Sequence, residues 1–353
     1  MSRTSRIPGG PGGPGSTGGE INMEDVARHA GVSIATVSRA LRGVSGVSPH
    51  TRRRVLEAAT DLSYVVNNAA SSLSGGATGR VAVVVPKLDS WFSSTMMASI
   101  EATVRGGDRD VLVYQVDGRD QRSRFFRELP TRRKVDAVVL VSLPLEAEEE
   151  ERLDLIGVHM VIAGARLRDY PFVEVDDVAI ARTAVGHLIG LGHRRIGMIR
   201  TSDTDGAHWT SDLHRCQGYT EMLAEHGLGE PTLVTEAYGV HAGARGMARL
   251  LDLPADRRPT AVFCYSDDIA VSAYREAIRR GLRVPEDVSL IAVDGNPLGE
   301  VFDITSIDQH AAEQARIAGE MTLHLLAGEP LEETGRMVEF TLVERGSTAP
   351  PPS

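Results

Sequence analysis

The stretch VARHAGVSIATVSRAL, residues 26–41, constrains this chain more than any other part of its 353 residues. Two short segments of helical periodicity flank a glycine, and crossing helices demand each residue type found there. Ala27 is small enough to let two axes approach, Gly31 can take the positive φ of a tight turn, and Val37 can pack back on the first segment. Asn22 is a good N-cap, with Asp25 three residues on and Met23, Val26, Ala27 and Ala30 at helical spacing. Ser33 can cap a second helix, Ile34 to Leu41, that buries Val37, Ala40 and Leu41 and turns Ile34, Ala35, Ser38 and Arg39 outward. A third helix is expected from Pro49, just after Ser48, to Leu62, with Val55, Leu56, Ala59 and Leu62 buried. The polar outer face of the second helix would suit the major groove of DNA; the bare spacing also suits an ordinary helical hairpin.

A net charge of −10 looks wrong for a nucleic-acid partner until it is located along the chain. Residues 1–19 carry two arginines and no acid, residues 20–79 six arginines against five acids, and residues 80–353 hold 30 basic against 43 acidic side chains. Within 26–56, Arg28, Arg39, Arg42, Arg52, Arg53 and Arg54 face no Asp or Glu, which is a footprint suited to phosphate. Arg52, Arg53 and Arg54 equally suit a solvated helix face.

From Arg80 the pattern changes to short β-branched runs between longer helical stretches: VAVVVP (81–86), DVLVYQ (110–115), DAVVLVS (136–142), HMVIAG (159–164), RIGMI (195–199), TAVFCY (260–265) and VSLIAVD (288–294). Such alternation implies parallel sheet with crossover helices, and there is enough strand for two doubly wound sheets. No apolar run is long enough to cross a bilayer, and the Gly/Pro/Ser-rich residues 1–19 read as a disordered tail without the apolar stretch of a secretory signal. Cys216 and Cys264 have no CxxC spacing, so they read as packing residues in a reducing cytosol, with no disulfide framework, metal or cofactor expected. GxxxxGK[ST], GxSxG and HExxH are all missing, which weighs against an enzyme. His187 and His193 lie six apart and DTDG (203–206) faintly resembles a calcium loop; surface roles are expected for both.

These residues resemble the lactose/galactose repressor (LacI-type) family, whose headpiece motif D-V-A-x-x-A-G-V-S-x-x-T-V-S-R-x-L stands here as DVARHAGVSIATVSRAL (25–41), followed by VSPHTRRRV (47–55) and LSYVVNNAASSL (62–73). The likeness continues at lower stringency to ERGSTAP (344–350). It implies an α/β fold: an N-terminal all-α helix-turn-helix headpiece plus a periplasmic-binding-protein-like, two-lobed effector domain with doubly wound parallel sheets. The domains would be a tail (1–19), a DNA-binding domain (20–65), a hinge helix and linker (66–79) and an effector-binding and dimerisation domain (80–353). The lobes of that last domain would take about 80–173 with 310–337, and about 174–309 with 338–353, crossing near Glu174, Gln309 and Val338.

The resemblance also assigns residues. Ile34, Ala35 and Arg39 fall where the family reads base edges: Arg39 can pair with guanine, and Ile34 and Ala35 can touch thymine methyls. Ser33, Thr36, Ser38, Arg42, Ser48, Thr51 and Asn67 match phosphate-contacting or capping positions, and helix capping alone suits several of them. NNAASSL (67–73) matches a hinge helix that folds on DNA, where Ala70 meets the minor groove and Leu73 wedges between base steps. Family members commonly carry Pro where this chain has Val66. Effector contacts would come from Ser90, Phe92, Met96, Arg166, Arg215, Tyr238, Ser266, Asp267, Asp294 and Gln309, although Phe92 and Met96 also suit a core and Arg215 a structural ion pair. Gly164 and Gly295 stand where many sugar-binding relatives have Asp, so a sugar, a nucleoside or an acidic metabolite are all open. The implied protein is a homodimeric regulator, most commonly a repressor, on double-stranded, pseudo-palindromic operator DNA.

Overall fold

The computed structural model describes residues 21–41, 45–62, 64, 77–132, 134–143, 145, 147–153 and 157–352. The chain divides into two compact units, the second beginning at Ala77. Arg42, Asn67, Ala70 and Leu73 lie outside the described residues, as does the expected tail.

The smaller unit holds α1 (Met23–Ala30), α2 (Ile34–Leu41) and α3 (Pro49–Asp61). Asn22 closes a capping box: its side chain accepts from the Glu24 and Asp25 amides, and Asp25 Oδ2 accepts from the Asn22 amide at 3.1 Å. Gly31 ends α1 in the left-handed region (φ 62°), the conformation that favours glycine. Ser33 Oγ accepts from the Thr36 amide and Ser48 Oγ from the Thr51 amide, starting α2 and α3. Val26, Ala27, Ala30, Val37, Ala40, Val55, Ala58 and Ala59 form the core. Leu56, expected inside, points outward at 47 % exposure. The face that meets α1 and α2 runs through Val55, Ala58 and Ala59, and its neighbour at 56 is rotated away.

The larger unit contains two six-stranded sheets. The first is built from β1 (Arg80–Val85), β2 (Asp110–Gln115), β3 (Ala137–Val141), β4 (His159–Ala163), β5 (Phe172–Glu174) and a late strand, β11 (Gly335–Met337), in the order β11-β5-β4-β3-β1-β2. Helices α4 (Trp91–Gly106) and α12 (Ala311–Ala327) cover one face, and α5 (Arg119–Arg132) and α6 (Ala147–Leu153) the other. The second sheet takes β6 (Ile196–Ser202), β7 (Thr232–Ala237), β8 (Ala261–Cys264), β9 (Ser289–Asp294), β10 (Thr305–Asp308) and β12 (Thr341–Val343), in the order β12-β10-β9-β8-β6-β7. Here α7 (Asp177–Gly190) and α8 (Thr210–Glu225) lie on one side, and α9 (Ala242–Leu251) and α10 (Asp267–Arg279) on the other; the short α11 (Pro297–Val301) follows β9. Among the described residues every pairing is parallel except β10 with β12. The chain passes between the sheets after β5, after β10 and between β11 and β12.

One surface expectation fails and another holds only in part. His193 is fully buried, bonded through Nδ1 to Thr260 and through Nε2 to Ser289 and the Ala349 carbonyl, so it ties the C-terminal residues to the second sheet. Burial holds its pKa below the usual range, as suits a neutral imidazole. In DTDG, Thr204, Asp205 and Gly206 are exposed as expected, whereas Asp203 is 1 % exposed and paired with Arg122. Cys264 is buried in the second lobe and Cys216 half-buried, both as free thiols. No described helix is long and apolar enough to cross a membrane.

Candidate nucleic-acid interface and ligand cleft

On the headpiece, burying Val37 and Ala40 leaves Ile34, Ala35 and Arg39 exposed on one face of α2, with Ile34 46 % exposed. Arg39 lies along the helix, its Nε donating to the Ala35 carbonyl at 3.3 Å. Ser33, Thr36, Ser48 and Thr51 first serve the helix termini, because the Ser33–Thr36 and Ser48–Thr51 hydroxyls also bond each other at 2.9 Å. Ser38 is half-buried beside them. The arginine block divides. Arg54 Nε donates to the Ala30 carbonyl at 2.9 Å and its Nη2 reaches the Gly31 carbonyl, so this side chain closes the C-terminus of α1, while Arg53 is exposed.

In the larger unit, strand C-termini from both sheets converge on one cleft, the usual location of ligands in doubly wound folds. The first lobe contributes Pro86 and Lys87 after β1, Ser90, Phe92 and Ser93 at the start of α4, Ser142 after β3 and Gly164 after β4. The second contributes Asp177, Trp209, Ser211, Arg215, Tyr238, Tyr265, Ser266, Asp294 and Gln309. Together they enclose about 50 Å³ of space open to water.

Seven of the expected effector residues therefore meet: Ser90, Phe92, Arg215, Tyr238, Ser266, Asp294 and Gln309. The other three lie elsewhere. Met96 is fully buried in the core under α4, because one helical turn beyond Phe92 the side chain faces the sheet. Arg166 is exposed, with its guanidinium 5.1 Å from the Phe172 ring centre. Asp267 is buried behind Asp294, where it accepts from the Asn296 amide at 2.8 Å.

The cavity has an aromatic wall and neutralised charges. Trp209 stacks on Tyr265 (centroids 6.0 Å apart, planes 27° apart) and meets Tyr238 edge-on, while Phe92 closes the opposite side. Arg215 donates from Nε to Asp177 Oδ1 at 2.7 Å and from Nη1 to the Tyr265 carbonyl, and it stands 4.8 Å from the Tyr265 ring centre. Burial raises the Asp177 carboxyl and works against the Arg215 charge, yet Asp177 and Asp294 keep Arg215 protonated. Lys87 is held by Asp117 at 2.7 Å. Asp294 has φ 138°, a strained value for a side-chain-bearing residue, and accepts from Gln309 Nε2 at 2.6 Å. Burial and the facing Asp267 push its pKa well up.

Trp209, Tyr265, Asp177 and Lys87 were not anticipated. Lys87 and Tyr265 directly follow strands that were legible, so the strand-end rule would have found them. Trp209 and Asp177 come from a loop and a crossing segment, which only the fold brings near. Ser90 and Ser266 have a second task as N-caps of α4 and α10. Among the described residues, no group of three or more His, Cys, Asp or Glu could hold a metal.

The lacI-family model of bacterial regulatory proteins matches residues 22–67, and a periplasmic binding protein-like domain matches residues 185–348. The HTH-type transcriptional repressor CytR of Escherichia coli (strain K12) is 34% identical, covering 92% of this chain and 96% of its own. The HTH-type transcriptional regulator AglR of Rhizobium meliloti (strain 1021) is 33% identical, covering 94% and 95%. Among solved structures, the transcriptional regulator CelR in complex with cellobiose is similar at 28% identity and a TM-score of 0.67, covering 93% of this chain and 99% of that one. The lac repressor dimer bound to operator and the anti-inducer ONPF shares the fold with a TM-score of 0.81 at 22% identity, covering 94% and 100%.

Proposed function

Because this chain belongs to the LacI family of bacterial regulatory proteins, and is a DNA-binding transcriptional regulator rather than an enzyme, we propose that it is a homodimeric repressor of a pseudo-palindromic operator, controlled by a small neutral effector. The observation that carries the reading is the outward face of α2, where Ile34, Ala35 and Arg39 stand free of the headpiece core on a helix capped at both ends of the turn before it. Two copies of α2 would enter successive major grooves, with the 67–73 segments between them in the minor groove. Work at the chromosome places the protein in the cytoplasm.

An exposed apolar face supports the second copy. Val240 (79 % exposed), Ile278, Leu298, Val301 and Phe302 gather around α10 and α11, beside the charged Arg275 and Arg279. A symmetric partner would bury this patch against itself.

The cleft favours a ring-bearing neutral ligand, a sugar or a nucleoside, over an acidic metabolite. Its two cations, Arg215 and Lys87, are already paired with Asp177 and Asp117, and Asp294 adds a further carboxyl, so an anion would find no uncompensated charge. Rings can stack on Trp209, Tyr238 and Phe92 while serine hydroxyls and Gln309 bond hydroxyl groups. With room for only a few waters at roughly 10–15 Å³ each, the cavity admits a metabolite when the lobes part. By linkage, an effector that weakens DNA binding binds the DNA complex less tightly by the same factor.

The test is selection of bound duplexes from a random DNA pool by the full-length protein near physiological salt. A palindromic consensus supports a sequence-specific dimer. Recovery of random sequences, with and without added metabolite extract, would refute the reading.

A further inference from the structure

The turn 203–206, left without a role by the sequence, touches the opposite lobe. Asp203 Oδ1 accepts from the Asp205 and Ala207 amides and so folds the turn on itself. Its Oδ2 receives Arg122 Nη1 of α5 at 2.8 Å, with both side chains 1 % exposed. Next to it, Asp205 Oδ2 accepts from the Arg119 amide at 2.6 Å in the first turn of α5, where the helix end attracts negative charge. Thr204 Oγ1 donates to Asp117 Oδ1 at 3.4 Å. Three consecutive residues of the second lobe therefore grip the start of one helix of the first.

We propose that Arg122 and Asp203 form an interlobe latch that holds the cleft closed and sets the balance between its open and closed states. The partner geometry distinguishes a latch from a permanent ion pair. Arg122 has a carboxylate in its own lobe, Glu149 of α6, with Nε to Oε2 at 3.2 Å. Asp203 has its two amides at home. Parting the lobes strands neither charge: each keeps a local partner and gains water where the other was. The bond is thus strong when dry and cheap to exchange for solvent, as a reversible closure requires. A pair with no local partners would lock the lobes instead.

The latch is also connected to the cleft. Asp117, which receives Thr204 on one oxygen, holds Lys87 on the other at 2.7 Å, and Lys87 lines the cavity. A ligand that draws Lys87 away would loosen Asp117 from the turn. Binding in the cleft and the strength of the latch are then coupled through three named side chains. On the opposite flank the Trp91 amide of α4 donates to Asp268 Oδ2 at 3.3 Å, a weaker closing contact that Tyr238 shares. The latch concerns lobe closure and is tested without DNA or effector, so its failure is distinguishable from that of the functional reading.

Asp203→Asn is the informative variant. It keeps the oxygen that folds the turn and turns an amide toward Arg122. Spin labels at exposed Glu151→Cys in the first lobe and Leu213→Cys in the second, in a Cys216→Ser background, report the interlobe distance in the full chain without added ligand. Wild type is expected to give one narrow distribution. Asp203→Asn should shift the closed-to-open ratio by roughly tenfold toward longer distances. Arg122→Gln should do the same, and the double variant should open no further. Glu149→Gln, which touches only the home partner, should remain closed. A distribution for Asp203→Asn that superimposes on wild type would overturn the latch; so would equal opening by Glu149→Gln, which would make Arg122 a packing residue of α5 and α6. If Asp203→Asn does not fold, Arg122→Lys serves in its place, since a single ammonium cannot span both carboxylates, and its unchanged distance would be equally fatal.

Discussion

Gly164 and Phe92 occupy space that one side chain more would overfill: a Cβ at 164 would stand 2.9 Å from the ring's Cζ and 2.5 Å from Ser142 Oγ. The backbone there has φ 72° besides. The Phe92 ring fills the space into which any side chain at 164 would point. Gly164→Ala should cost about 1–3 kcal/mol in urea denaturation, and Phe92→Ala in the same chain should recover part of it. Strict additivity of the two losses would show that the ring and the glycine are not in competition.

Arg39→Ala should weaken binding to the selected operator by about 1–3 kcal/mol and broaden base choice at one position of each half-site. Titrations against the operator and against single-base variants measure this. A uniform loss across all of them would make Arg39 a phosphate contact.

Arg54→Ala removes the bonds that close α1, so the headpiece should melt earlier by about 1 kcal/mol while the slope of log affinity against log salt stays as in wild type. A slope shallower by about one unit would return Arg54 to the phosphate footprint.

Burial pushes Asp267 from its ordinary 3.8 up to about 7, against the Ser306 hydroxyl and the Asn296 amide that favour its charged form. A carboxyl with a higher pKa folded than unfolded keeps its proton in the native state. Its contribution is complete below the unfolded value and is lost as pH rises through about 7. The unfolding free energy of wild type should therefore fall more steeply between these values than that of Asp267→Asn. Parallel curves would mean that Asp267 is ionised throughout.

Val301, 75 % exposed on the apolar face, should tolerate Glu without loss of folding but shift the full chain toward monomer in sedimentation. An unchanged mass would move the dimer contact elsewhere.

The headpiece was legible because its signals are local: Asn22, Ser33 and Ser48 cap, Gly31 turns, and the apolar period repeats within eight residues. Leu56 was misread because Val55 and Leu56 both suit the period, and contact with α1 and α2 chooses between them. Seven strands showed as apolar runs. Five did not: β5, β10, β11 and β12 have only three or four residues, too few to display alternation, and β7 is a six-residue edge strand, TLVTEA, whose threonines and glutamate leave no apolar run. In the cleft, Arg215, Asp294 and Gln309 were found through family likeness and Tyr265 follows a legible strand, whereas Trp209, which stacks on it, comes from a loop that only the fold brings near.

The late exchange of strands has a consequence for the order in which the protein is made. The first sheet is completed by Gly335–Met337 and the second by Thr341–Val343, and Ser347 and Ala349 then bond back to Leu290, Ser289 and His193. During synthesis α1, α2 and α3 can fold as soon as they emerge, yet neither lobe can finish before β11 and β12 have been made. A nascent chain would therefore carry a finished headpiece ahead of any finished sensor, and synthesis of Gly335–Met337 and Thr341–Val343 is the step that lets the two lobes close their sheets and answer to a ligand.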